Sequence, residues 1–366
     1  MSLELFKCRW GILATGGIAR VFTKDLLIDP ALRGGSDVKH VVAAAASSTS
    51  VDRARAFLKE IGAPDANAYG TYEELVADPS VDIIYVATPH SHHFQNCLLA
   101  LNANKPTICE KPFTVNAAQT KILVDIARKK RLFLMEAVWT RYLPISIELR
   151  SLVRSRRIGE VRRVIADLSL AQGNSNLDSH RMVNPDLAGG ALLDLGLYPL
   201  TWVYQILYHT LPEAEKKAPV VTGTISKYER TGVDADNVVV ATFPRSIGIA
   251  TSSIRVATDP GARGSVAVKI QGTEGEIQVA HPAYRPQSYT IIPNDKNSKP
   301  ETRQIPVPVG YGMYWEADTA ARCLRDGKLE SDIMPLDESI LIMEAMDKVR
   351  EIGDFRYPEK IESTDY

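Results

Sequence analysis

The hydrophobic positions of this chain fall into two textures. Through the first third, short solid apolar runs alternate with stretches of helical period. Cys8 to Leu13 predicts a strand, and Ile18 to Ile28 a helix behind a glycine turn. Val38 to Ala46 is a second apolar run, and Val51 to Ile61 a second helix. Val81 to Thr88 predicts a buried strand closed by Pro89. Phe94 to Leu101 and Ala117 to Lys129 read as helices, Thr107 to Glu110 and Leu132 to Ala137 as strands. Solid strands alternating with helices build a parallel sheet covered on both faces.

Beyond about Ala137 the texture changes. A helix is predicted from Ile145 to Arg154 and a strand from Val161 to Leu170. Gly189-Gly190 then leads into the apolar stretch Ala191 to Tyr208. From Val220 to Val279 the pattern is β, with strands at Val238 to Phe243, Ile247 to Ile254, Val266 to Gln271 and Glu276 to Val279. Most of these mix polar and apolar positions, as a sheet with one covered face does. The polar, Pro-rich segment Pro293 to Pro308 reads as a surface loop, and Asp337 to Ile352 as a closing amphipathic helix.

A chain of 366 residues suits two domains, and 45% apolar with 24% charged residues is a soluble globular composition. A net charge of −1 gives no electrostatic case for nucleic acid or an anionic membrane. No apolar run is long enough to span a bilayer, and the opening Met1 to Lys7 has no secretory character. Cys8, Cys97, Cys109 and Cys323 lack CxxC spacing, which argues against a zinc cluster and for a reducing, cytoplasmic setting.

Chemistry enters at the strand ends. In Ala14-Thr15-Gly16-Gly17-Ile18-Ala19, the spacing of the dinucleotide fingerprint puts Ala14, Gly16 and Ala19 at its three small positions. Gly16 keeps the place where a Cβ would block a pyrophosphate, whereas Ala14 is tolerable only if the turn there does not demand positive φ. An acidic residue after the second strand would hold a ribose 2′-hydroxyl; the chain offers Ser47-Ser48-Thr49-Ser50 and then Arg53, which suits a 2′-phosphate and favours NADP over NAD. Asp52 belongs with the start of the next helix. Thr88-Pro89-His90-Ser91-His92-His93 follows the third strand, where open α/β sheets bind ligands. Its three histidines have no Cys or carboxylate at ligand spacing, so the segment reads as a loop along the cofactor and no metal is expected. Glu110-Lys111-Pro112 closes the next strand, and Pro112 keeps Lys111 out of helical geometry. An ammonium there could lower the pKa of a neighbouring phenol. Asp194 and Tyr198 lie four apart in an apolar stretch, on one face if helical. The Arg cluster Arg154, Arg156, Arg157, Arg162 and Arg163 reads as a solvated helix end and strand start, with no function assigned.

These residues resemble the glucose–fructose oxidoreductase / inositol dehydrogenase (Gfo/Idh/MocA) family of NAD(P)-dependent oxidoreductases. The resemblance spans nearly the whole chain: Arg9-Trp10-Gly11-Ile12 before the glycine turn, Tyr72-Glu73-Glu74-Leu75, the stretch Met135 to Arg141, and Gly272-Thr273-Glu274-Gly275 within the β region. It is nearest in character to the branch of dimeric dihydrodiol and D-xylose dehydrogenases. It implies an α/β fold with an N-terminal Rossmann domain over residues 1–137. A C-terminal α+β domain, 138–366, would carry a large, mostly antiparallel open sheet that mediates a homodimer. It implies catalysis by Lys111, Asp194 and Tyr198, and a cofactor held by Thr15, Gly16, Gly17, Ile18, Ser47, Ser48, Arg53, Thr88, Pro89, His90, His93, Glu110, Lys111 and Arg141. The Lys111–Pro112 bond is expected to be cis. Ala14 and Ser48 depart from the pattern, the latter standing where related sequences often carry an Arg for the 2′-phosphate. The implied activity is NADP-dependent oxidation of an aldose at C1, D-xylose to D-xylono-1,5-lactone. Alternatives are oxidation of a trans-dihydrodiol and a non-catalytic NADP-binding regulator.

Overall fold

The computed structural model describes residues 5–171 and 177–366; the opening residues 1–4 of the expected non-secretory start lie outside them. Six strands form the first sheet: β1 (Phe6–Leu13), β2 (Val38–Ala46), β3 (Asn67–Tyr69), β4 (Ile83–Val86), β5 (Thr107–Glu110) and β6 (Leu134–Ala137). Their order is β3-β2-β1-β4-β5-β6, and every pair is parallel. The helices between them are α1 (Gly17–Leu26), α2 (Val51–Glu60), α3 (Tyr72–Ala77), α4 (His93–Asn102) and α5 (Ala117–Lys130). Every residue of β4, β5 and β6 is buried, which is why these strands read as solid apolar runs rather than alternations. The strand order reverses between β1 and β4, and the crevice this leaves at their carboxyl ends is where such sheets bind ligands.

The second sheet has eight strands: β7 (Val161–Ser169), β8 (Val220–Lys227), β9 (Asp234–Thr242), β10 (Ile247–Ser253), β11 (Val266–Gly272), β12 (Gly275–Ala280), β13 (Ser288–Pro293) and β14 (Glu301–Gln304). The order is β14-β13-β12-β11-β7-β10-β9-β8, antiparallel throughout except for β7 beside β10. Helix α6 (Pro144–Arg154) precedes β7, and α7 (Leu197–Leu207), buried on all sides, lies across β7 and β10. The opposite face has no helix among the described residues. A register row crosses it through Thr222, Val240, Ile249, Ile165, Lys269, Gln278 and Thr290, all at least partly exposed.

Three further helices end the chain: α8 (Tyr314–Arg325), α9 (Leu336–Ile352) and α10 (Glu359–Glu362). Helix α8 returns to the first sheet and packs on α1, β1 and β2, while α9 packs on α5 and β6 as well as on β8. Asp318 of α8 accepts from the buried guanidinium of Arg33 and lies 2.8 Å from His40 Nε2. The Asp25 carboxylate accepts the backbone N–H groups of Tyr311, Gly312 and Met313 at 2.7–3.0 Å. Residue 137 therefore ends the first sheet, but the core around that sheet is completed by residues 311–352.

Two expectations are corrected. The segment from Pro293 to Pro308 is not all loop: Glu301–Gln304 forms β14, an edge strand wholly exposed and built from polar residues, so no apolar alternation marks it. The first turn does demand positive φ, because Ala14 sits at φ +87. An L-residue there costs roughly 1 kcal/mol that glycine would avoid.

Candidate active site

A cleft of about 500 Å³ opens at the carboxyl edge of the first sheet, walled by Gly16 to Ile18, Ala87 to His90, Glu110 and Lys111. Arg181, Leu187 and Asp194 close it from the C-terminal half. Gly16 caps α1 with no side-chain hydrogen bond and no acidic residue follows in the first turn, so the helix presents free N–H groups to the cleft. A Cβ built on Gly16 or Gly17 would meet nothing within 4 Å, which leaves the turn open for an anion to approach the backbone.

After β2, Ser47 is buried and its Oγ accepts from Thr49 N at 3.3 Å. Ser50 caps α2, accepting from Arg53 N at 3.2 Å. Ser48 is exposed beside Tyr72, and Arg53, also exposed, forms no ion pair among the described residues. A cation without an ion pair and an exposed hydroxyl at this strand end fit a ribose 2′-phosphate, the neighbouring Asp52 being paired with Arg55 in the first turn of α2. Thr15 is buried within the turn, and Ile18 is exposed at the cleft.

Lys111 follows β5 directly, and the Lys111–Pro112 bond after it is cis, the geometry expected for it. Its Nζ donates to Asp194 O at 3.0 Å and Oδ1 at 3.3 Å, and stands 4.7 Å from the centre of the Tyr198 ring. Asp194 belongs to a wide π-turn, Leu192–Gly196, that runs into α7. Pro199, five residues on, has no N–H for the Asp194 carbonyl, and the lysine takes that oxygen. The turn is anchored from below by Asp234, whose Oδ2 accepts Leu192 N at 2.6 Å. Gly190, at φ +124, is required for this: a Cβ there would sit 2.0 Å from Asp234 Oδ1. The i,i+4 spacing thus delivers both side chains to Lys111, through a wider turn than an α-helix provides.

Three cationic or basic groups surround the Asp194 carboxylate: Lys111, Arg181 Nη1 at 3.1 Å and His90 Nε2 at 3.6 Å. Burial alone would raise its pKa, but Lys111, Arg181 and His90 outweigh burial and hold it well below the usual carboxylate range. Burial would likewise lower Lys111, yet Tyr198 and Asp194 keep it above the ordinary lysine value. The pair is therefore ammonium and carboxylate near neutral pH. Tyr198 behaves otherwise than expected. Burial raises its phenol above the ordinary value, overriding Lys111 and the Trp139 Nε1–H that donates to its oxygen at 3.0 Å.

The histidines are neutral, pushed down by burial to about 3 for His90 and about 4 for His93. His93 is fully buried beneath the wall, its ring nitrogens 2.7 Å from Pro112 O and 2.9 Å from Thr88 O; the neutral ring carries one N–H and donates to one of these two carbonyls. No group of three or more His, Cys, Asp or Glu among the described residues is arranged to hold a metal. Glu110 accepts from Tyr85 Oη and from Lys111 N. Thr88 Oγ1 accepts from Asn96.

Arg141 is a correction. Its side chain has no solvent exposure: Nε and Nη2 donate to Ile333 O and Nη2 to the Glu338 carboxylate at 2.7 Å, Nη1 has no partner among the described residues, and the residue does not line the cleft. Conversely, Arg181 and Trp139 contact the Lys111–Asp194–Tyr198 group and were not singled out from the sequence. Trp139 lay within the quoted stretch Met135 to Arg141; nothing local marks Arg181.

The chain matches the model of an oxidoreductase family with an NAD-binding Rossmann fold over residues 8–138, and that of the GFO/IDH/MocA C-terminal domain over 147–278. It is 54% identical to D-xylose 1-dehydrogenase (NADP(+)) of Hypocrea jecorina, over 99% of this chain and 96% of that protein. It is 34% identical to trans-1,2-dihydrobenzene-1,2-diol dehydrogenase of Homo sapiens, over 96% of this chain and 98% of the other. Among solved structures, an NAD binding oxidoreductase from Klebsiella pneumoniae shares the fold at a TM-score of 0.79 and 18% identity, over 94% of this chain and 96% of that one. Two sheets, the cleft between them and these matches over both halves agree: the chain belongs to the Gfo/Idh/MocA family of oxidoreductases.

Proposed function

We propose that the chain is an NADP-dependent D-xylose 1-dehydrogenase that oxidises D-xylose at C1 to D-xylono-1,5-lactone. The observation that carries this is the Lys111–Asp194–Tyr198 group beside the cleft at the carboxyl edge of the first sheet, in a chain 54% identical to a D-xylose 1-dehydrogenase along nearly its whole length. The N–H groups of Gly16 to Ile18 suit the diphosphate, and Ser48 with Arg53 the 2′-phosphate. When bound, NADP supplies the hydride acceptor.

The residues handle the proton and the sugar. Tyr198 accepts the proton of the anomeric hydroxyl at its Oη. Its phenolate is supported by the Lys111 ammonium, 4.7 Å from the centre of the ring, and by the Trp139 N–H donor. Asp194 Oδ1 is occupied by cations, while Oδ2 makes no hydrogen bond among the described residues and is left for a substrate hydroxyl. We assign residues 1–137 to cofactor and 138–366 to substrate. The homodimer we propose forms through the uncovered face of the second sheet, where Val240, Ile249 and Ile165 make an apolar stripe. Four free, buried cysteines and the absence of any helix among the described residues long and apolar enough to cross a membrane accord with a cytoplasmic enzyme.

The test is turnover with NADP and NAD across aldopentoses, aldohexoses and a trans-dihydrodiol. The reading requires D-xylose with NADP to give the highest kcat/KM. A dihydrodiol preferred over every aldose would make the chain a diol dehydrogenase, and no turnover with any of them would make it a dinucleotide-binding regulator. Sedimentation equilibrium should give a dimer, and Ile165→Asp a monomer; an unchanged mass would move the interface elsewhere.

A further inference from the structure

The Arg cluster that the sequence left without a role borders a second cavity, of about 590 Å³, at the far end of α7. Tyr198 stands at the start of that helix and Leu207 at its end, about 14 Å apart along the axis. The cavity floor is apolar and buried: Ile206, Leu207 and Phe243. Its rim is basic. Among the described residues lining it, Arg154, Arg156, Arg162, Lys217 and Arg245 face two carboxylates, Glu160 and Glu215, in a chain whose net charge is −1.

The rim cations are not equally engaged. Arg162 pairs with Glu160, and Arg154 reaches His209 O at 3.4 Å. Arg156, Lys217 and Arg245 pair with no acidic side chain among the described residues. The carboxyl ends of α6 and α7 nearby offset part of this charge. A volume of this size is that of an ordinary small-molecule site. Clustered Arg and Lys over an apolar floor match a ligand with a doubly charged head and a ring behind it.

We propose that this cavity binds a small phosphate monoester bearing an apolar ring, with Arg156, Lys217 and Arg245 on the phosphate and Leu207 and Phe243 under the ring. The site lies apart from the cofactor cleft, so NADP does not compete for it.

Phenyl phosphate titrated calorimetrically into the full chain, with NADP saturating, tests this. Saturable binding at one site per chain is expected, at least about tenfold weaker in the Lys217→Ala/Arg245→Ala variant. NADP affinity and turnover of that variant should match the wild type. Inorganic phosphate, which has no ring for the floor, should bind at least about tenfold more weakly than phenyl phosphate. No saturable binding of phenyl phosphate up to about 10 mM, or equal affinity in the double variant, overturns the proposal. Equal binding of inorganic phosphate overturns the role given to the floor.

Discussion

Tyr198→Phe separates the chemistry of the proposed site from its packing. The change keeps the ring, its contact with Lys111 and its tilt against Tyr284, and deletes one oxygen. Without that oxygen no proton acceptor remains at the ring, and turnover should fall by roughly a hundredfold or more, about 2.7 kcal/mol of barrier. The same oxygen accepts from Trp139 Nε1 at 3.0 Å, between two buried residues. Its loss strands an indole N–H, at a cost of about 1–3 kcal/mol. For a chain of this length that is roughly 1–4 °C in Tm. Trp139→Phe in addition removes the stranded donor at the cost of a small cavity, so the double variant should lose less Tm than the sum of the two single losses, without recovering turnover. Two assays follow: initial rates of NADP reduction with D-xylose across pH, and thermal unfolding of wild type, both single variants and the double. With the phenolate as the proposed base, the wild-type rate should rise with pH toward a raised phenol pKa. Lys111→Ala should carry that rise to still higher pH, since the phenolate loses its cation. A Tyr198→Phe enzyme with unchanged rate and profile would refute the proton route. Additive Tm losses in the double variant would refute the Trp139 contact.

Arg181→Met removes a half-exposed partner of Asp194. It should lower kcat/KM for the sugar by roughly tenfold while moving Tm by little, as exposed pairs contribute under about 1 kcal/mol; unchanged kinetics would return Arg181 to the surface. Ser48→Asp should cut the NADP-to-NAD preference, read as the ratio of the two kcat/KM values, by at least about tenfold through repulsion of the 2′-phosphate. A constant ratio would place that phosphate elsewhere. Ala14→Gly relieves the φ of +87 and should raise Tm slightly, by up to about 1 kcal/mol of stability; a fall would show that the left-handed turn carries no strain.

What the sequence disclosed follows from where each signal is stored. Strands β2 and β5 were bounded to the residue because their apolar runs end at turn-forming neighbours. Helix α8 escaped because its polar residues are buried by distant partners: Asp318 by Arg33 and His40, with Glu316 wholly enclosed. β3, at three residues, is too short for any period to register. In the site, Lys111, Asp194 and Tyr198 were legible because each sits in a local pattern of glycine, proline or apolar neighbours. Arg181 meets Asp194, and Trp139 meets Tyr198, only through the folded chain. The raised pKa of Tyr198 was likewise invisible, because burial is a property of the whole packing and not of a spacing.

The return of residues 311–352 to the first sheet sets an order on synthesis. β1 to β6 leave the ribosome first, yet Arg33 and His40 wait for Asp318, and Asp25 for the backbone at 311–313. At translation rates of about 5–20 residues per second, the cofactor half spends roughly ten to forty seconds without its last walls. Throughout that interval Arg33, His40 and Asp25 lack their partners, and the flank of β1 and β2 that α8 covers is bare. A fragment ending at residue 137 would remain in that state permanently. Finishing the first domain is thus the last event of translation.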